Sequence, residues 1–171
     1  MSVAELHVEA PKGFIDIRNM GVTFGNDESQ VVAVKDVSLN VQPGEFVSLI
    51  GPSGCGKSTL LSIAAGFVKP TAGEALLDGK KITKPGSDRG VVFQQYSLFP
   101  WLSVRKNVEF GLKMAGVDQN KRLTTARSLL DLAGLLSFEN HYPDQLSGGM
   151  KQRIGIIRAL ATSPQVLLMD E

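Results

Sequence analysis

Gly51-Pro52-Ser53-Gly54-Cys55-Gly56-Lys57-Ser58-Thr59 follows an apolar run, Glu45 to Ile50, and opens a helix-like run, Lys57 to Ala65. The stretch fits the pattern G-x-x-x-x-G-K-[ST] at every fixed position, with strand, loop and helix in the order that motif needs. Its glycines let successive backbone N–H groups turn inward around phosphate oxygens. The helix starting near Lys57 aims the positive end of its dipole at the same place. In this pattern the lysine reaches the β- and γ-phosphates and the following hydroxyl, Ser58, ligates magnesium. A glycine-rich turn before an ordinary helix is the plain alternative. The complete order of strand, loop, lysine, hydroxyl and helix argues against it, so the stretch predicts a nucleoside triphosphate site. Cys55 lies near a helix N-terminus, where a thiol pKa can fall; it reads as a loop-filling residue and not a nucleophile.

Two further stretches carry chemistry. Val166 to Met169 is a short apolar run that ends in Asp170 and Glu171. A buried strand there delivers Asp170 to the magnesium shell and leaves Glu171 to polarise an attacking water. An acidic pair after a strand is commonly just a solvated loop; the phosphate loop upstream raises its weight. Leu146-Ser147-Gly148-Gly149-Met150 precedes a helical run. Ser147 is a good N-cap, and the two glycines expose backbone N–H groups beside it, making a second anion-binding helix start. Alone, it would read as a plain capped helix.

The whole chain sets the frame. At 171 residues it is about one domain long and can bury a core. A net charge of +1 favours neither nucleic acid nor an acidic substrate. The single cysteine excludes an internal disulfide and fits a reducing compartment. No run approaches the roughly 18 apolar residues of a membrane span, and the N-terminus lacks the basic and apolar segments of a signal peptide. The reading is a cytoplasmic protein, docked on another component. His7 and His141 show no metal-ligand pattern, and Lys80-Lys81 and Arg105-Lys106 read as solvated charge.

Periodicity gives the elements. Residues 1–12 form a polar leader. Phe14 to Ile17 alternates as a strand, Gly25 to Ser29 is turn chemistry, and Val37, Leu39 and Val41 mark a half-exposed strand. Pro43-Gly44 turns the chain into Glu45 to Ile50, apolar on both faces as in a buried parallel strand. Ala75 to Leu77 with Asp78-Gly79 is a short strand and turn, and Gly90 to Gln94 a buried strand. Val108, Leu112 and Ala115 form one helical stripe; Leu123, Ala126, Leu129, Leu130 and Ala133 form another. Met150 to Ala161 is a helix stopped by Ser163-Pro164. The order predicts an α/β nucleotide-binding core with a helical insertion between Gln94 and Pro164.

The phosphate loop, Gln94, Leu146 to Arg153 and Leu167 to Glu171 occur in sequence. Together they resemble the ATP-binding subunit of an ATP-binding-cassette (ABC) transporter over about residues 13–171. The resemblance implies a P-loop NTPase core: a mixed, mainly parallel sheet with flanking helices and an antiparallel β part on the N-terminal side. It divides the chain into a β-rich ATP-binding core (13–95), a helical signature subdomain (96–163) and a final strand (164–171). It implies ATP and Mg2+ as ligands, with Ser58, Gln94 and Asp170 at the metal. Gln94 and Glu171 become the residues at the reacting water. Ser147, Gly148 and Gly149 cap the γ-phosphate held by a second subunit in a head-to-tail dimer. Phe24 takes the position of the adenine-stacking aromatic ring, with a buried core phenylalanine as the alternative.

Met150 stands where the common family pattern has glutamine. With Phe99-Pro100-Trp101-Leu102-Ser103 it resembles the branch that imports nitrate, sulfonates or taurine. By that resemblance Trp101 and Leu102 lie near the docking surface for a membrane permease, packing within the helical block being the alternative. A solute-binding protein is then an indirect partner, nucleic acid is not a partner, and the subunit sits on the inner face of the cell membrane. The family pattern runs past Glu171, into an aspartate loop and a strand ending in a histidine. The expectation is therefore a truncated cassette that lacks a complete hydrolytic site, with an unpaired slot about 10 Å wide beside Glu45 to Ile50. A remnant that binds nucleotide or a partner without turnover is the competing reading; a P-loop kinase is a third, opposed by the signature segment.

Overall fold

The structure, a computed structural model, describes residues 11–25 and 29–170. The expected leader lies mostly outside the described residues, as do the middle of the Gly25 to Ser29 turn, His7 and Glu171. The chain forms two compact units, residues 1–64 with 68–83 and residues 65–67 with 84–171.

The first unit is built on antiparallel strands. β1 (Ile15–Phe24) pairs with β2 (Val31–Val41) on one side and β3 (Ala72–Leu77) on the other; β3 continues to β4 (Lys80–Lys81). Ile15, Ile17, Met20 and Val22 are buried, but so is Asp16 at 8% exposure, so burial in β1 does not alternate as expected; Val37, Leu39 and Val41 are half-buried between exposed neighbours, as their spacing predicts. The turn between β3 and β4 is Asp78-Gly79, both at positive φ (49° and 75°), the chemistry of a two-residue hairpin. The Asp78 carboxylate also accepts from the backbone N–H of Gly13 and of Phe14, both at 2.9 Å, and so fixes the entry to β1. Helix α1 (Lys57–Ala65) follows the phosphate loop.

Glu45 to Ile50 corrects one expectation. The turn before it forms, with Glu45 N donating to Gln42 O at 3.0 Å. The run itself is not a strand, and Phe46 and Ile50 are 83% and 92% exposed. Apolar, β-prone sequence does not make a strand alone; ladder hydrogen bonds do. Among the described residues no strand pairs with this run.

The second unit holds a parallel pair and three helices. β5 (Arg89–Val92) pairs with β6 (Val166–Met169), in the register Val92↔Met169. Helices α2 (Val104–Met114), α3 (Gln119–Leu132) and α4 (Gly148–Leu160) share a core that includes Val104, Val108, Leu112, Ala126, Leu130 and Ile154. Ala115, expected on the first stripe, is instead exposed as the C-cap of α2. Among the described residues, one polar side chain is wholly buried in this unit. Asn107 accepts from Phe99 N (2.8 Å) and donates to the carbonyls of Phe99, Leu102 and Ser103. It thus satisfies backbone groups of an irregular turn that has no ladder of its own.

Two expectations for stability follow. Asn107→Ala strands these buried backbone groups and should cost about 2–4 kcal/mol, read from the urea unfolding midpoint. Asp118 caps α3, accepting from Asn120 N and Lys121 N, and these bonds hold its carboxyl below the usual range. A depressed folded pKa makes the contribution full above the ordinary carboxylate range and lost as pH falls through the lower folded value. Asp118→Asn, a cap at every pH, should therefore flatten part of the acid limb of stability against pH, measured by thermal melts from pH 6 to 2.

Candidate nucleotide site

The phosphate loop takes the bends its glycines allow. Gly54 and Gly56 sit at φ +79° and +95°, and α1 begins at Lys57 with Leu60 N donating to Gly56 O at 2.9 Å. The two glycines differ in their surroundings. A Cβ on Gly54 would meet open space, whereas one on Gly56 would lie 2.3 Å from the carbonyl oxygen of Ala33 in β2. Gly56 is thus required by close backbone approach as well as by φ. The Lys57 ammonium donates to the carbonyls of Gly51 (2.9 Å) and Pro52 (2.8 Å), and lies 3.7 Å from Cys55 Sγ. This places a charged group across the mouth of the loop, beside the first-turn N–H groups of α1. Cys55 is exposed, in keeping with a loop-filling role. Phe24, at the end of β1, is 46% exposed.

In the second unit the parallel register does the positioning. Asp170 N donates to Val92 O at 3.0 Å, so Asp170 leaves β6 level with the end of β5, two residues before Gln94. Gln94 and Asp170 therefore emerge at the same carboxyl edge of the β5–β6 pair, where open α/β sheets bind ligands.

The helix start expected at Ser147 is formed as a capped terminus. Ser147 is the N-cap of α4, and its Oγ accepts from Met150 N at 3.4 Å. Gly148 and Gly149 are exposed, and a Cβ on Gly149 would meet nothing within 4 Å. A Cβ on Gly148 would fall 2.9 Å from the hydroxyl of Tyr96. Trp101 is 71% exposed, with its ring 5.6 Å from that of Phe99; Leu102 is half-buried.

Three residues of this unit escaped the sequence reading: Tyr96, Asn107 and Arg158. Tyr96 and Arg158 announce themselves only through partners distant in sequence. Asn107 carried a signal, a polar residue one turn from Val104 and adjacent to Val108 on an apolar face.

A glycine-bent loop closed by a lysine at a helix start, beside an antiparallel sheet, together with a parallel pair ending in an acid, defines a P-loop nucleotide-binding cassette. A model of the ABC transporter family matches residues 34–171, and the chain belongs to that family. The nitrate import ATP-binding protein NrtD of Synechocystis sp. is 52% identical over 157 residues, 92% of this chain and 59% of that protein. The taurine import ATP-binding protein TauB of Burkholderia pseudomallei is 49% identical over 154 residues, 90% and 59% of the two chains. Among solved structures, a dimeric post-hydrolysis state of the ATP-binding cassette MJ0796, bound to ADP and Pi, superposes with a TM-score of 0.84 at 39% identity. It covers 92% of this chain and 73% of that one. The P-loop NTPase fold and the resemblance to the nitrate and taurine import branch, both read from the sequence, are borne out. The chain spans 59% of the length of these curated relatives.

The difference between the loop glycines is open to test. Gly54→Ala should cost about 1–2 kcal/mol, the penalty of a left-handed backbone for an L-residue. Gly56→Ala adds the clash with Ala33 and should cost clearly more, with binding of a labelled ATP analogue lost; urea unfolding and a binding titration check the order.

Proposed function

We propose that this chain is the ATP-binding subunit of an importer of the nitrate, sulfonate or taurine type, and that ATP binding and hydrolysis drive solute through a membrane permease. One observation carries the reading: the same chain holds a glycine-bent lysine loop and a separately capped glycine helix start at Ser147. Residues Gly51 to Thr59 cradle the phosphates, and Lys57 neutralises the β- and γ-oxygens. The exposed ring of Phe24 stacks on adenine. Ser147, Gly148 and Gly149 serve ATP held by a second copy in a head-to-tail dimer. Trp101 and Leu102 face the permease, to which a solute-binding protein delivers the cargo, with the subunit on the inner face of the membrane.

Ser58, Gln94 and Asp170 would hold magnesium, and Glu171 would polarise the attacking water. The donors are oxygens, which suits this hard cation. Among the described residues no three His, Cys, Asp or Glu side chains cluster to hold a metal; a magnesium ion shared with phosphates needs only one or two carboxylates. When bound, it spreads the developing phosphate charge.

A second reading is that these residues alone bind nucleotide with little turnover. It is favoured by the exposed run Glu45 to Ile50, which enters the loop without a strand partner among the described residues.

The test is binding of a labelled ATP analogue with magnesium by the purified chain, with ATP hydrolysis measured alongside and circular dichroism confirming the fold. Saturable binding is expected, weakened about 10- to 100-fold by Lys57→Ala, since a charge-assisted hydrogen bond contributes roughly 1.5–3 kcal/mol. Turnover near background supports the second reading, whereas turnover abolished by Glu171→Gln supports the first in full. A folded chain that does not bind would falsify both.

A further inference from the structure

The segment from Gln94 to Ser103 has no regular secondary structure, yet polar side chains grip it from two helices. From α2, Asn107 brackets Phe99 with one bond to its N–H and one to its carbonyl. From α4, Arg158 donates through Nη1 to the carbonyl of Ser97 at 2.8 Å and lays its guanidinium 5.4 Å from the centroid of the Phe99 ring. Ser97 sits at φ +48°, a conformation that persists in a serine only when its surroundings impose it. Phe99 in turn lies 4.5 Å from Phe110 and 5.6 Å from Trp101, centroid to centroid. At the other end of α4, the Tyr96 hydroxyl rests against Gly148.

We propose that Arg158 is a positioning residue, acting through Ser97 and Phe99 to fix the course of the segment that follows Gln94 against the helix that begins at Ser147. The inference rests on the nucleotide reading above, in which Gln94 and the start of α4 both serve phosphate. An arginine is suited to the task because its planar fork donates to a carbonyl while its face covers a ring; a lysine does only one of these at a time. Burial pushes the Arg158 pKa down, yet a guanidinium keeps its charge, so the Ser97 carbonyl and the Phe99 ring are its compensation. No carboxylate is paired with Arg158 among the described ion pairs.

Trp101 is the only tryptophan, so its indole N–H gives a single resonance in a nitrogen-15 spectrum of the chain. That resonance reports on the adjoining Phe99 ring. The experiment compares the wild-type chain with Arg158→Met and Arg158→Lys, with and without a magnesium-bound, non-hydrolysable ATP analogue. In Arg158→Met the expected result is unchanged analogue affinity, a displaced and broadened Trp101 indole peak, and loss of its displacement by nucleotide. In Arg158→Lys the donor to Ser97 survives but the stacked plane does not. Its Trp101 peak should be displaced while the α3 amides stay in place. Wild-type positions for Trp101, Ser97 and Phe99 in Arg158→Met overturn the proposal. If Arg158→Met does not fold, Arg158→Lys decides: a wild-type Trp101 peak and nucleotide response overturn it. Absence of analogue binding by the folded wild-type chain refutes the nucleotide reading and this inference with it. Binding with a Trp101 response that survives in both variants refutes the inference alone.

Discussion

The parallel pairing of β5 with β6 is the constraint on which the second unit depends. Four residues face four across it, and the register sets where Gln94 and Asp170 leave the sheet. A slip by one residue would turn every side chain of β6 over, bury Leu167 or Met169 in place of Leu168, and turn Asp170 to the opposite face. The pair also dictates a glycine. A Cβ on Gly90 would lie 3.1 Å from the carbonyl of Ala159, 3.0 Å from Pro164 and 3.2 Å from Leu167, so α4 and the chain leading to β6 press directly on the β5 backbone. The helix that carries Ser147 is thereby seated by the same strand that delivers Gln94.

What could be read in advance was whatever depends on a few neighbouring residues. The bends at Gly54 and Gly56, the Ser147 cap, the Asp78-Gly79 turn and the β6 run are local chemistry, and each is where periodicity or motif placed it. The helical stripes were legible for the same reason, because burial of Val108, Leu112, Ala126 and Leu130 follows from their spacing. The first stripe ends short of its period because Ala115, in phase with the apolar face, falls on a cap where the helix has already ended.

The rest was not legible because it rests on partners far away in sequence. Glu45 to Ile50 has every local mark of a buried strand and lacks, among the described residues, the one thing local sequence does not supply, a neighbour to bond with. Arg158 reads as one more cation near a helix end, and only the fold reveals that its acceptor is the carbonyl of Ser97, sixty-one residues earlier. Phe24 and Trp101 each admit two readings from sequence for a similar cause. An aromatic residue in isolation is equally compatible with core and surface, and its exposure, 46% for Phe24 and 71% for Trp101, is set by the fold around it.

The tie between Asp78 and the amides of Gly13 and Phe14 has a bearing on how the chain is made. It joins groups 64 and 65 residues apart, and the same ends are laced by the pairing of Ile15 with Leu77. A ribosome releases Gly13 long before it polymerises Asp78, so β1 can meet β2 early but waits for its other neighbour. Until then, one edge of β1 stands open, with its buried isoleucines in water. The first unit is thus closed by its last strands, and an arrest of synthesis before Asp78 leaves a nascent chain with a sticky edge.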